Sequence, residues 1–266
     1  MSTRLTINGE PAQADDLRVP VATNYGHFTS MRVDGGCVRG LDAHLQRLDT
    51  STRFLFDHPL DGEIVRGWLR DAVGGDTSAL SARINVFSRA YNRERPADAA
   101  KPDVLIAVNA APAGSTQPLR VKSFAYERDV PQVKHVGTFA LFHHRRLAQQ
   151  AGCDDALFVD RDGNVSEGSI WNVAFFDGKR IVWPNARQLE GVSKQLLKRG
   201  FAQRGIDSVD ANVPLPRIGD FQAAFFTNSA QAVRFIASID EVAFAGDDRL
   251  ATLLAACYDS NPPQRI

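Results

Sequence analysis

Apolar and polar positions alternate most plainly in SARINVFSRAY, where Ala82, Ile84 and Val86 interleave with Arg83 and Asn85 ahead of Ser88. That period predicts a half-buried strand. PDVLIAVNAAP is apolar enough to predict a central strand. RLTINGEP predicts a strand and an NG turn, and VATNYGHFTSMRVDGGCVRG predicts strands broken by a hairpin at Asp34 to Gly36. The period then changes: Leu41, Leu45, Leu48, Phe54 and Leu55 fall near helical spacing with Asp42 at the start, and GEIVRGWLRDAV continues as a second helix.

After the small, Pro- and Gly-containing stretch APAGSTQP, a second set of elements begins. LRVKSFAYE, ALFVD, VAFFD and RIVWP predict strands, Leu141 to Ala151 and Ser193 to Arg204 predict helices, and AAFFTNSAQAVRFIASI predicts strand, turn and strand. RLATLLAACYDS closes the chain as an amphipathic helix. The pattern is α+β. It predicts a small N-terminal α/β domain over 1–112, a linker over 113–119 and a larger C-terminal domain over 120–266.

Composition narrows the classes of partner. Lysine plus arginine equals aspartate plus glutamate at 31 each, so the formal net charge is zero and no basic run interleaves with aromatics. That argues against nucleic acid or an anionic membrane as the main partner. Cys37, Cys153 and Cys257 are odd in number and lack CxxC spacing, which argues against a disulfide framework or a metal site and fits a reducing cytoplasm. The N-terminus has no apolar core for a signal peptide, and no run of eighteen apolar residues exists.

Candidate chemistry concentrates between Val133 and Asn172. Lys134, in VKHVGTF, and Glu167, in ALFVDRDGNVSEGSIWN, each stand in a mostly uncharged setting on two different elements. On composition alone such a lysine is a solvated surface charge and such a glutamate a turn residue. A lysine that carries an electrophile covalently needs a partly desolvated site, and an acid beside a pyridine nitrogen keeps that ring protonated. Two segments suit a phosphate. In LEGVSKQLLKRG, Gly191 permits close approach while Val192 and Ser193 open a helix, and TNSAQAV presents Asn228 and Ser229 after a strand. Arg47 in HLQRL reads, without further context, as a surface helix residue.

The stretch xLxxDxxGxVxEGSxxN resembles the signature of the class IV aminotransferases, the fold-type IV pyridoxal phosphate (PLP) enzymes. YGHFTSMRV, HLQRL, the Lys134 segment, L-x-G-V-S and TNSAQAV stand in the same order as in that family, so the resemblance covers nearly the whole chain. It implies a small N-terminal domain, a C-terminal domain with a barrel-like sheet, and a homodimer. It implies that Lys134 forms the Schiff base with PLP and shuttles a proton, and that Glu167 protonates the pyridine. Cofactor contacts then fall to Arg47, Asn172, Gly191, Val192, Ser193, the Asn228 main chain and the Ser229 hydroxyl.

Two departures stand out. Phe139 occupies a position, five residues after the lysine, where many members carry a tyrosine on the cofactor's phenolic oxygen, and the segment around Tyr25 and Phe28 is shorter than usual. Either of those aromatics suits the substrate-facing role. A substrate carboxylate would need a cation, for which SRAYNRERP offers Arg89, Arg93 and Arg95, with a solvated charged loop as the equal alternative. The implied reaction moves an amino group from an amino acid or (R)-amine donor to a 2-keto acid acceptor. An aminodeoxychorismate-type lyase and a weakly active PLP-binding homologue are the alternatives.

Overall fold

The structure is a computed structural model that describes residues 4–266. Two compact units make up the chain: residues through Ala113 with Val133–Gly137 and Pro263–Ile266, and Gly114–Gln132 with Thr138–Pro262. Sequence periodicity had no means of assigning the five-residue lysine segment and the last four residues to the first unit, because both are held by pairing with distant strands.

In the first unit, β1 (Arg4–Ile7) turns at Asn8 and Gly9 into the short β2 (Glu10–Pro11). A short helix α1 (Arg18–Thr23) replaces the expected strand in VATN and ends at Asn24 with φ 49°. Strand β3 (His27–Val33), strand β4 (Cys37–Arg39), helix α2 (Leu41–Phe56), helix α3 (Gly62–Val73), strand β5 (Leu80–Phe87) and strand β6 (Asp103–Ala110) follow. The sheet order is β2-β1-β6-β5-β3, so the apolar β6 is central as its composition predicts. Its inner face packs Ala82, Ile84, Val86, Val104 and Ile106 against Leu41, Leu48 and Phe56 of α2 and Val65 and Leu69 of α3. Asp61 caps α3 by accepting from the N–H groups of Glu63 and Ile64 at 2.8 and 3.2 Å.

The hairpin turn at Asp34 to Gly36 forms, with Asp34 and Cys37 exchanging bonds of 2.9 and 3.0 Å and both glycines at positive φ. Its ladder does not continue. β3 pairs with β5, whereas β4 pairs with the C-terminal strand Pro263–Arg265, and Ile266 enters the core.

In the second unit, β7 (Leu119–Ala125), α4 (Phe139–Gln150), β8 (Asp155–Val159), β9 (Val165–Gly168), β10 (Asn172–Phe176), β11 (Ile181–Pro184), α5 (Val192–Arg204), β12 (Ser208–Ala211), β13 (Ala223–Thr227), β14 (Arg234–Ile239), β15 (Val242–Ala243) and α6 (Asp248–Asp259) occur in that order. Strands β10-β13-β14-β7-β8-β9 form a ring closed by the β9–β10 pair, a six-stranded barrel from which β11 and β12 extend. Alternation divides its side chains. Val165, Val173, Phe175, Ala224 and Phe226 belong to one apolar cluster, while Ala174, Ala223 and Phe225 pack with Leu197, Phe201 and Leu254 of α5 and α6.

Candidate active site

The side chain of Glu167 is aimed by an irregularity in β9. Val159 pairs with Val165 and Leu157 with Gly168, so one residue of β8, Phe158, faces two of β9, Ser166 and Glu167. The extra residue is a β-bulge, which rephases the strand. Glu167 pairs with Asn172 of β10, and Asn172 pairs with Thr227 of β13. The three residues form one rung across adjacent strands and share a face of the sheet. A Cβ at Gly168 would lie 2.0 Å from the Trp171 ring, so only glycine lets that tryptophan cover the bulge.

Asn172 joins this rung to α5. Its Nδ2 donates to the Leu189 carbonyl at 2.7 Å and to Gln188 Oε1 at 2.9 Å, and its Oδ1 accepts from Gly191 N–H at 3.1 Å. A side chain at Gly191 would meet that Oδ1 at 2.1 Å. Gly191 is the N-cap of α5, and no side chain caps the helix there. The first-turn N–H groups of Val192 and Ser193 therefore remain an anion-binding end. Beside it on the rung, the Thr227 hydroxyl is buried without a hydrogen-bond partner. A buried hydroxyl left unpaired costs on the order of 1–3 kcal/mol, which a ligand acceptor would recover.

Glu167 is 3% exposed and accepts from Arg128 Nε at 2.6 Å and, more weakly, from Leu189 N–H at 3.4 Å. Arg128 is equally buried at 3%. Sequence reasoning missed it, because in AYERDV it reads as one charge in a solvated run. Thr227 stood in a quoted motif, but nothing in its sequence setting marks its hydroxyl as orphaned.

The first unit holds the lysine. Val133–Gly137 runs along the edge strand β3: Phe28 N–H donates to the Lys134 carbonyl at 2.9 Å and Val136 N–H to the Gly26 carbonyl at 3.0 Å. An otherwise open sheet edge is thus satisfied by the segment that bears Lys134. Lys134 Nζ lies 4.9 Å from the Phe28 ring centroid, and the Arg83 guanidinium lies 3.5 Å from the same centroid. Both are within cation–π range. Arg83 is a second residue the sequence reading passed over, as a polar position on a strand.

Two imidazoles lie beneath this surface. Thr52 donates its hydroxyl to the Leu48 carbonyl at 2.8 Å, so His27 Nε2, 2.9 Å from Thr52 Oγ1, must carry its own proton toward it. Nδ1 of His27 is then a buried acceptor with no partner. Burial pushes the His27 pKa down to about 3. His44, 2.6 Å from Thr29 Oγ1, is likewise lowered to about 3 by burial and by the positive charges of Arg47 and Lys134. Both rings are neutral at pH 7.

The remaining expectations are redistributed. Tyr25 stacks on Tyr91 with ring centroids 4.3 Å apart and donates to the Leu55 carbonyl, so it packs within the first unit, whereas the buried Phe28 carries the two cations. Arg89 is committed to Asp103 through Nε, Nη2 and its main-chain N–H, and to Asp16 through Nη1. Arg93 donates to the Ala22 carbonyl. The Asn228 main-chain N–H is spent on the Gln231 carbonyl at 3.0 Å, and its side chain accepts from Ala230 and Gln231, making it the cap of its own turn. Ser229 follows it, half-buried. Phe139 opens α4 with 80% of its surface exposed and stacks on His143.

The sequence profile of the amino-transferase class IV family matches residues 26–239. A probable branched-chain-amino-acid aminotransferase of Rickettsia bellii (strain RML369-C) is 30% identical over 119 residues, 43% of this chain and 41% of the relative. The chain spans between 33% and 41% of the length of the Rickettsia aminotransferases it matches. An aminodeoxychorismate lyase of Bacillus subtilis (strain 168) is 26% identical over 247 residues, covering 85% of this chain and 82% of the lyase. Among solved structures, a branched-chain aminotransferase from Thermoproteus uzoniensis with norvaline has a TM-score of 0.86 at 16% identity, covering 96% of this chain and 94% of that one. At that identity the likeness speaks to the fold.

Proposed function

The chain belongs to the class IV aminotransferase family, whose members depend on PLP, and from that premise we propose that it transfers an amino group between an amino acid or (R)-amine and a 2-keto acid. The observation that carries the proposal is the rung Glu167–Asn172–Thr227 with the uncapped start of α5 bonded to its middle residue. The buried acid and the orphaned Thr227 hydroxyl lie two strand spacings apart, on the order of 10 Å, with the start of α5 bonded to the residue between them, which suits a small aromatic phosphate.

PLP, when bound, supplies an electron-accepting ring that stabilises negative charge at the substrate's α-carbon. Val192 and Ser193 N–H, the Thr227 and Ser229 hydroxyls and Arg47 are proposed to hold its phosphate. Asn172 positions Gly191 rather than touching the ligand. Glu167 holds a proton at the ring nitrogen, and Arg128 fixes the carboxylate in place for it. Lys134 Nζ is the covalent attachment point and then the base that moves a proton from the substrate's α-carbon. The neutral His44 adds no further positive charge beside Lys134 and Arg47. Arg83 supplies a cation for a substrate carboxylate on the ring of Phe28, the role the sequence reading assigned to Arg89 and Arg93.

A second reading, a lyase of the aminodeoxychorismate type, is supported by the longer match to the Bacillus lyase. One experiment tests both. The protein is incubated with D-amino acids, L-amino acids, (R)-amines or aminodeoxychorismate, with and without pyruvate or 2-oxoglutarate. Turnover that requires the keto acid supports the transferase; pyruvate released from aminodeoxychorismate without an acceptor supports the lyase. No turnover under either condition supports the weakly active homologue. Borohydride reduction should fix PLP at Lys134, and an adduct surviving in Lys134→Ala would sink the assignment. A cytoplasmic homodimer is part of the proposal, supported by the three unpaired cysteines and by exposed Phe142.

A further inference from the structure

We propose that Asp155 is a positioning residue for Glu167: it anchors the turn between β9 and β10, and through that turn sets where the acid meets the ring nitrogen of PLP. The inference rests on the functional reading above and adds a residue to it. Asp155 is 3% exposed at the start of β8. Ser169 Oγ donates to its Oδ1 at 2.6 Å, and Trp171 Nε1 donates to its Oδ2 at 2.9 Å. Both donors lie in residues 169–171, which connect Gly168 at the end of β9 to Asn172 at the start of β10.

Main-chain bonds hold that connection only lightly. Gly168 N–H donates to the Trp171 carbonyl at 2.8 Å and Ser169 N–H to the Ala156 carbonyl at 3.2 Å. The side-chain bonds to Asp155 are charge-assisted, which makes each roughly twice as strong as a neutral one. Arg145 of α4 donates to the same carboxylate, to Oδ1 through Nε at 3.0 Å and to Oδ2 through Nη2, and the Ala156 N–H donates to Oδ1 at 2.8 Å. Arg145 is the counter-charge that burial of a carboxylate requires. If Asp155 served only to join α4 to β8, Arg145 would suffice, yet two of its partners come from the turn.

The anchored turn sits between the two residues that the site uses. Glu167 and Asn172 pair across it. On the other side of Glu167 the bulge is closed by the Ser166 hydroxyl, which donates to the Phe158 carbonyl at 3.2 Å. The Trp171 ring that Asp155 holds is packed on Gly168, so any rotation of it presses on the residue next to Glu167. Arg128 sets the direction of the Glu167 carboxylate, and Asp155 sets the position of the backbone that carries it. A catalytic group must be held within a fraction of an ångström, and a displacement of about 1 Å can cost about 100-fold in rate.

Three variants of the full chain test this. Ser169→Ala and Trp171→Phe each remove one donor, the second keeping an aromatic ring over Gly168, and Arg145→Met removes the counter-charge while leaving both turn bonds. Each is loaded with PLP and compared with the parent in the pH midpoint of the bound PLP absorbance, in kcat and KM for a donor the parent accepts, and in the urea midpoint. A proton on the ring nitrogen repels one on the Lys134 nitrogen joined to PLP, so loosening Glu167 should raise the spectral midpoint of the turn variants by about one unit. Their kcat should fall about ten-fold with KM within about two-fold of the parent. Arg145→Met should lower the urea midpoint most and leave kcat and the spectral midpoint near the parent's. The spectral midpoint decides even where no donor is turned over. Turn variants that keep the parental midpoint, or an Arg145→Met change that matches theirs, would overturn the inference and leave Asp155 as an anchor of the fold alone. A parent that binds no PLP would defeat the functional reading itself, and this inference with it. Should Arg145→Met fail to give the parent's far-UV spectrum, Arg145→Lys, which keeps the charge on a single nitrogen, takes its place.

Discussion

Arg128→Met takes away the guanidinium 2.6 Å from Glu167 and leaves the carboxylate buried. Both side chains are almost fully desolvated, at 2% and 4% exposure. Water cannot take over the lost interaction, so the cost is that of breaking a buried pair, about 3–5 kcal/mol. It is far above the ~0–1 kcal/mol of a surface ion pair. Methionine conserves much of the volume, so lost packing contributes little. Urea denaturation should show this loss, and the thermal midpoint should fall by on the order of 10 °C. The double variant Arg128→Met with Glu167→Gln removes both charges and should recover most of the stability. Cofactor binding should then separate from stability: the double variant folds but no longer holds the ring proton, so its turnover stays low. An unfolding free energy for Arg128→Met within about 1 kcal/mol of the parent would refute the reasoning, as would a double variant no more stable than the single one.

Gly191→Ala drives a methyl group into Asn172 Oδ1, 2.1 Å from the ideal Cβ position, and should weaken PLP affinity at least ten-fold by turning the first N–H groups of α5 away; equilibrium dialysis measures this. Thr227→Val removes a buried hydroxyl that has no partner. The apoprotein should be as stable as the parent or slightly more so, while PLP dissociates several-fold faster, and a clear loss of apoprotein stability would count against an orphaned hydroxyl. His27 and His44 are held neutral down to about pH 3, against an ordinary value of 6.5. Between those values the unfolded chain binds protons that the folded chain refuses, so stability falls as pH drops through that window, by about 1.4 kcal/mol per pH unit for each fully titrating histidine. Unfolding free energies measured from pH 7 to pH 4.5 should steepen downward, and a flat profile would reject the buried neutral rings.

Local pattern carried far along this chain. Helices α2 and α3, the alternation of β5 and the apolar run of β6 were legible because spacing, capping residues and turn glycines all lie within a few positions of one another. Leu41 and Leu48 mark the buried face of α2 in the sequence and occupy it in the fold with Leu45 and Leu55 packed against it, whereas the expected Phe54 is exposed and Phe56 takes the core position. Where pairing is long-range, the same signals stopped short. The turn at Asp34 to Gly36 was readable, but the strand after it pairs with residues near position 264, and no local rule reaches that far. VATN looked extended from its β-branched residues, yet Arg18–Thr23 closes as a short helix.

What the sequence determined alone was the identity and order of the chemical groups: one lysine, one glutamate and a glycine at a helix start, each recognisable by what surrounds it in the chain. Tertiary structure decided which of them have partners. The bulge that turns Glu167 onto the face of Asn172 and Thr227, the guanidinium of Arg128 beside it, and the commitment of Arg89 to Asp103 all depend on residues brought together from distant parts of the chain. Charge, burial and hydrogen-bond satisfaction are set by neighbours in space, and a one-dimensional pattern records only neighbours along the chain.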